Sequence, residues 1–300
     1  YKHNKHFIEK QIRYIALTLN RRGKKVRRTT DVEAAAKYVV DHIANDGQTT
    51  YDTPHNREWI KEDWDLSTEQ VNSVMNKVKD TLFKCLQFGT FQYGDYNLTE
   101  LPLPEWLEAE VGSEGTSIKS YVWKSGWLRR IRLCELNLKD KFVAESLVIY
   151  PDWTLINPVF GTEFVNAGGR RFFGTIDFHP LQNDYVYNDQ YINKHLGDQP
   201  DRSKNTSNIY DLNKFFSKKL WVKSDKTNFY EEYLKDLEVY LKRYLKMMAK
   251  PRRENARELQ GQYDKHLAGT DPALGILKSY YDKEFAEKYI HEFLFDLAKK

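Results

Sequence analysis

The stretch NPVFGTEFVNAGGRRFFGTIDFHP, Asn157 to Pro180, holds two apolar runs, 158–166 and 171–178, joined by the short link NAGGR. Both runs are rich in β-branched and aromatic residues, which suits strands, and Gly168-Gly169 is turn chemistry. A link this short folds the chain back beside itself, whereas a parallel pair needs a crossover of about a dozen residues or more. The two runs therefore read as antiparallel neighbours. Alternation along the first places Val159, Gly161, Glu163 and Val165 on one side. Glu163 is then a carboxylic acid on a largely apolar face, which is costly unless it is paired, hydrogen-bonded or protonated.

The same texture extends outward. Runs at 118–124, 128–136, 142–150 and 219–223 also read as strands, with the short connections SGW and NLKDK between some of them. Helical spacing dominates on both flanks. Asp31 to Ala44 carries Ala34, Ala35, Tyr38, Val39 and Ile43 on one face. Ser67 and Gln70 form a capping-box pair, followed by Val71, Val74, Met75, Val78, Leu82 and Leu86. After the strands, 228–249 runs from Asn228 to a stop at Pro251, with Tyr230, Leu234, Leu237, Leu241, Tyr244 and Met248 in a stripe. A last helix is expected over 284–298, carrying Phe285, Tyr289, Phe293 and Leu297. The expectation is an α+β fold with a central antiparallel sheet between helical layers.

Composition narrows the function. The 300 residues include 16 Phe, 20 Tyr and 7 Trp, enough for a large aromatic core. With 47 Lys and Arg against 43 Asp and Glu, the net charge of +4 excludes a protein that coats polyanions by bulk charge. No window approaches the roughly 18 apolar residues of a membrane span. Cys85 and Cys134 are too few for a disulfide framework or a zinc site, so a reducing compartment is expected. There is no glycine-rich phosphate loop, nucleophile elbow, His/Cys metal spacing or dinucleotide fingerprint, which argues against a resident nucleotide or metal cofactor. The basic run Asn20–Arg28 lacks interleaved aromatics and reads as a solvated arm or protein-docking patch before a nucleic-acid site.

Three further places carry chemistry. Asp271, in GTDPALG, is a good helix cap before Pro272, and a capping carboxylate can still face a cavity. Asp177 and His179 close the second strand of the opening stretch. Ser217, Lys218, Lys219 and Lys223, in FFSKKLWVKSD, suit either an anionic group or a lysine-protected sheet edge.

In order along the chain, LPLPEWLE, YVWKSGWLRRIRL, SLVIYPDW, NPVFGTEFV, TIDFHPL, FFSKKLWVK, LQGQYDKHLAGTDPALG and YIHEFLFDL resemble the ferredoxin-dependent bilin reductases, over about residues 75 to 297. The domain is taken as 67–300, and residues 1–66 as an N-terminal extension of unknown role. The resemblance implies an α/β/α sandwich with an open-chain tetrapyrrole between the sheet and the C-terminal helices. It implies no bound metal or flavin, single electrons from an external [2Fe–2S] ferredoxin, a transient bilin radical and acidic side chains as proton donors. The family's strand aspartate falls on Glu163, a longer acid, and its helix-start aspartate on Asp271. A position where relatives often have Asn falls on Ser146. Gly161, with space for a flat ligand, and Phe164 are expected to touch the bilin, and Ser217, Lys218 and Lys223 to meet its propionates.

LPLPEWLE, LQGQYD, TDPALG and HEFLF fit best the members that reduce biliverdin IXα at the C15–C16 bridge to 15,16-dihydrobiliverdin, in phycoerythrobilin biosynthesis. Leu267, where A-ring-reducing relatives have Arg, points the same way. The alternatives are reduction of dihydrobiliverdin to phycoerythrobilin, another A-ring reduction, or a non-catalytic bilin-binding chaperone. Expected partners are biliverdin, ferredoxin and the next bilin reductase of the pathway, with no nucleic acid or membrane. A monomer in an algal plastid stroma is expected, or in the cytoplasm of a cyanobacterium.

Overall fold

The structure, a computed structural model, describes residues 77–94, 96–113, 115–138, 142–167, 171–199 and 215–298. The Asp31–Ala44 helix, the Asn20–Arg28 run, the Ser67–Gln70 cap and the Gly168-Gly169 turn lie outside the described residues, as does the expected boundary at residue 66.

The first described helix, α1 (Lys77–Tyr93), buries Val78, Leu82, Cys85 and Leu86. Eight strands follow among the described residues: β1 (Thr99–Glu100), β2 (Glu110–Ser113), β3 (Thr116–Ser125), β4 (Leu128–Leu138), β5 (Phe142–Pro151), β6 (Val159–Ala167), β7 (Arg171–His179) and β8 (Trp221–Asp225). They form one sheet in the order β1-β3-β4-β5-β6-β7-β8, with β2 also on β3. Every pairing is antiparallel, as the short connections require. Between β7 and β8 lies a short helical segment in which a wider turn, Asn188–Asn193, joins Tyr185–Tyr187 to Lys194–Leu196. After the sheet come α2 (Tyr230–Met248), α3 (Arg257–Thr270), α4 (Ala273–Tyr280) and α5 (Lys283–Lys288), the last running into a wider turn, Tyr289–Leu294. This is the expected sandwich.

One layer is α1 and α2. Tyr230, Tyr233, Leu237, Leu241 and Tyr244 of α2 are buried against the sheet, with Phe164 of β6 and Phe178 of β7 in ring contact with that helix. Each such side chain contributes about 1.5–3 kcal/mol by leaving water. The buried stripe is broader than helical spacing predicts: Tyr233 and Tyr240 are buried too, while Leu234 is only half-buried. The second helix in the layer explains this, because α1 covers another side of α2 through Lys77–Glu231 at 2.6 Å and Lys84–Glu238 at 3.0 Å. The opposite layer is α3 with the C-terminal helices.

Two acids lie on the α1/α2 side, away from the candidate site. Glu135 and Glu145 are cross-strand partners, both fully buried. Glu145 accepts from the Tyr230 hydroxyl at 2.5 Å, while neither Glu135 oxygen has a hydrogen-bond partner. Burial pushes Glu135 up to about 7, against the pull of Lys79 and Lys119. An acid whose folded-state pKa is raised costs no stability while protonated, and the folded state loses stability as pH rises from the unfolded value toward 7. Glu135→Gln is therefore expected to stabilise the fold by on the order of 2 kcal/mol at about pH 8 and not below about pH 4. Denaturant unfolding at the two pH values checks this, and equal gains at both would refute it.

Candidate active site

Register builds a polar band across the helix-covered face opposite α2. Cross-strand partners run Ser120 (β3), Cys134 (β4), Ser146 (β5), Glu163 (β6), Thr175 (β7), Val222 (β8). The adjoining row is Val122, Arg132, Val148, Gly161, Asp177. Directly opposed side chains lie about 4.5–5.5 Å apart at Cβ, so each row is a contiguous surface. The band's roof comes from α3, the start of α4 and the turn at Tyr289. Tyr289 donates to the Cys134 sulfur at 3.0 Å and shares a 2.9 Å hydrogen bond with the Ser120 hydroxyl.

Arg132 is the electrostatic centre. It is buried, and its Nη1 donates to the Ser146 hydroxyl at 3.2 Å while its Nε has no partner. The Cys134 thiol, pushed up to about 11 chiefly by burial, also feels Arg132 and Glu163. The Tyr263 phenol, raised by burial, feels Asp264, Arg132, Asp177 and Asp271. Asp271 is raised by burial, opposed by the Ala273 N–H and by Arg132. Arg132 thus acts on Asp271 in the roof and bonds Ser146, the residue opposite Glu163 on the sheet floor. A buried cation on the same face as two acids can hold an anionic or electron-rich group while an acid delivers a proton.

Asp271 also does what its Asp-Pro context predicts: its Oδ1 accepts the Ala273 N–H at 2.8 Å, opening α4. Ser146 lies directly opposite Glu163. Three expectations for substrate contact need correction. Phe164 points to the other side of the sheet, packed on Phe229, Tyr230 and Tyr233, because it is one residue out of phase with Glu163. Lys223 also faces away, bonded to Glu232 at 2.6 Å, since its partner Gly174 lies on the α2 side. The space above Gly161 is filled by His179, whose ring carbon would lie 2.5 Å from an added Cβ, so the glycine makes room for an imidazole. Ser217 is committed to Asp177, donating its N–H to Oδ2 at 2.7 Å and its hydroxyl to Oδ1 at 2.5 Å. Lys218 is exposed.

Asp177 and His179 are tied into the same face. Burial pushes Asp177 up to about 7 against the Ser217 hydrogen bonds, and burial holds His179 down at about 3, a neutral imidazole bonded to the Tyr263 hydroxyl at 2.6 Å. Sequence reading passed over Arg132, Tyr263 and Tyr289 as site residues. Arg132 had a legible signal, an arginine inside a strand otherwise buried on both faces. Tyr263 had none, because α3 turns Gln260, Tyr263, Asp264 and Ala268 inward, and such a polar face hides the hydrophobic period.

Among the described residues, no group of His, Cys, Asp or Glu is arranged to hold a metal ion, and no helix is long and apolar enough to cross a membrane. A family model described as ferredoxin-dependent bilin reductase matches residues 92–296, which span the sheet, Glu163 and Asp271. The chain belongs to the ferredoxin-dependent bilin reductase family. It is similar to the 15,16-dihydrobiliverdin:ferredoxin oxidoreductase of Nostoc punctiforme, 31% identical over 68% of this chain and 89% of that protein. It is 30% identical to the protein of the same name from Parasynechococcus marenigrum, over 66% of this chain and 90% of that one. The structure resembles that of phytochromobilin synthase from tomato in complex with biliverdin, with a TM-score of 0.62 at 17% identity, covering 74% of this chain and 84% of that chain. At that identity the likeness establishes the shared fold. The chain is thus an oxidoreductase that takes electrons from ferredoxin.

Proposed function

We propose that the chain reduces biliverdin IXα by two electrons and two protons at the C15–C16 bridge, giving 15,16-dihydrobiliverdin. The observation that carries this reading is the polar band itself: Glu163 stands on the sheet opposite Ser146, the Arg132 guanidinium bonds that serine, and the same guanidinium acts on Asp271 at the start of α4. The names of the relatives from Nostoc punctiforme and Parasynechococcus marenigrum support the same step. Leu267 of α3, half-buried near the site, supports it as well, since it offers no cation toward an A ring.

In this reading each ferredoxin delivers one electron to the bound bilin, and each electron is matched by a proton. Asp271, whose carboxyl burial pushes above the ordinary aspartate range, is placed to donate, with Glu163 supplying or relaying the second proton. Arg132 holds Ser146 in place and offsets the charge left on whichever acid has donated. The phycoerythrobilin pathway, with a next reductase as partner, and a plastid setting are part of the same proposal. The test is anaerobic turnover with biliverdin IXα and reduced ferredoxin, with products separated by chromatography. A product reduced at the A ring, or none, overturns the reading.

A further inference from the structure

Three segments meet at one corner of the molecule: the β3–β4 turn at Trp127, the β5–β6 connection around Trp153, and residues 250–257 before α3. They are knit by Asp152 N–H to Trp127 O, Glu254 N–H to Thr154 O and Ala256 N–H to Trp153 O, each 2.8 Å. Trp127 is 41% exposed, with the Arg253 guanidinium 5.6 Å from its ring. Trp153 lies between Arg129 at 3.7 Å and Arg257 at 5.4 Å. Most acids of this corner are engaged: Glu254 with Arg252 at 3.5 Å, Asp296 with Arg129 at 3.5 Å, and Asp152 with the Thr154 N–H and hydroxyl at 3.0 and 2.7 Å. Glu258 is exposed at the edge. Arg253 and Arg257 have no carboxylate within ion-pair distance among the described residues. The C-terminal helices and the α1/α2 layer, by comparison, carry paired cations: Lys278 and Lys283 with Glu287, Lys288 with Glu284, Lys84 and Lys242 with Glu238.

Beneath the corner an aromatic column leads inward. Arg129 lies 4.5 Å over Tyr150, Tyr150 meets Tyr263 edge-on at 6.2 Å, and Tyr263 meets His179 at 5.5 Å. His179 stands over Gly161, on the floor of the polar band beside Glu163. Two neighbouring indoles, one beside the unpaired Arg253 and the other beside the unpaired Arg257, are the complement of an acidic protein, with an apolar centre and a charged rim.

We propose that ferredoxin docks on this Trp127–Trp153 corner and that its electron enters the site along Trp153, Tyr150, Tyr263 and His179. The inference rests on the bilin-reductase reading and adds where the donor binds. In each encounter a reduced [2Fe–2S] ferredoxin is oxidised by one electron and the bound bilin is reduced by one. The edge-on and tilted ring contacts provide coupling and the rings are not themselves oxidised.

The test uses the full chain carrying R253E together with R257E, both on the exposed rim. Bilin affinity, read by absorbance titration, is expected to stay unchanged, while KM for ferredoxin rises at least tenfold at low ionic strength. The gap should narrow as salt screens the rim. K278E with K283E, on another surface, is the control and should leave KM for ferredoxin unchanged. An unaltered KM in the first variant, or an equal rise in the control, overturns the docking site. For the path, W153L should slow bilin reduction several-fold when pre-bound ferredoxin and bilin react in a single turnover, and an unchanged rate overturns it. A wild-type chain that turns over no bilin would instead overturn the proposed reaction, and the docking with it.

Discussion

Asp271→Asn is expected to lower kcat for bilin reduction by about 10²–10⁴-fold, the usual contribution of a positioned general acid, while bilin still binds. The substitution keeps the Oδ1 acceptor that caps Ala273 at 2.8 Å, so α4 should still start in place and only the proton is lost. The pH dependence separates this from a structural effect. Burial raises the Asp271 carboxyl, so it stays protonated at pH values where an ordinary aspartic acid is ionised. Activity that needs that proton is full below the raised pKa and falls as pH rises through it. In Asp271→Asn this alkaline limb should disappear from the residual rate. The stability sign agrees, since an acid with a raised folded-state pKa favours the folded state at low pH and loses that contribution as pH rises. A pH profile of kcat for both proteins decides the matter, and an Asn variant with full activity removes Asp271 as donor.

Glu163→Gln is the second large effect expected, a loss of about 10²-fold or more with bilin binding retained. Glu163 lies opposite Ser146 and Thr175 in the middle of the polar band, so an amide fits the same space without a labile proton. If Glu163 supplies only the second proton, the variant should stall with a one-electron-reduced bilin detectable by absorbance or electron paramagnetic resonance. Glu163→Asp shortens the reach by one methylene but restores the acid favoured in the family, and is expected to recover most activity. Loss in both the Gln and the Asp variants would mean that the length of the side chain matters as well as its proton, and full activity in the Gln variant would remove Glu163 as a donor.

Much of the architecture was legible along the chain. Strands 128–136, 142–150, 158–166 and 171–178 appear within a residue or two of expectation, because local texture and short links report antiparallel pairing directly. The helix at 230–248 was equally plain, since one side must be apolar to cover a sheet. Helix α3 was not, and the reason is functional: a helix that lines a polar site loses the apolar period by which helices are recognised.

For the site, sequence alone determined which residue types were out of place, namely Glu163 on an apolar strand and an Asp-Pro helix start at Asp271. The order of motifs tied both to a family. Tertiary structure decided what faces what. Strand phase removed Phe164 and Lys223 from the site, because consecutive residues point to opposite sides of a sheet and a one-residue offset is absolute. It filled the space over Gly161 with His179, from the next strand. It also brought Arg132 to Ser146, opposite Glu163, and within electrostatic reach of Asp271, a relation between β4, β5 and the start of α4 that no local pattern encodes, since proximity across more than a hundred residues exists only once the register and the roof are both in place.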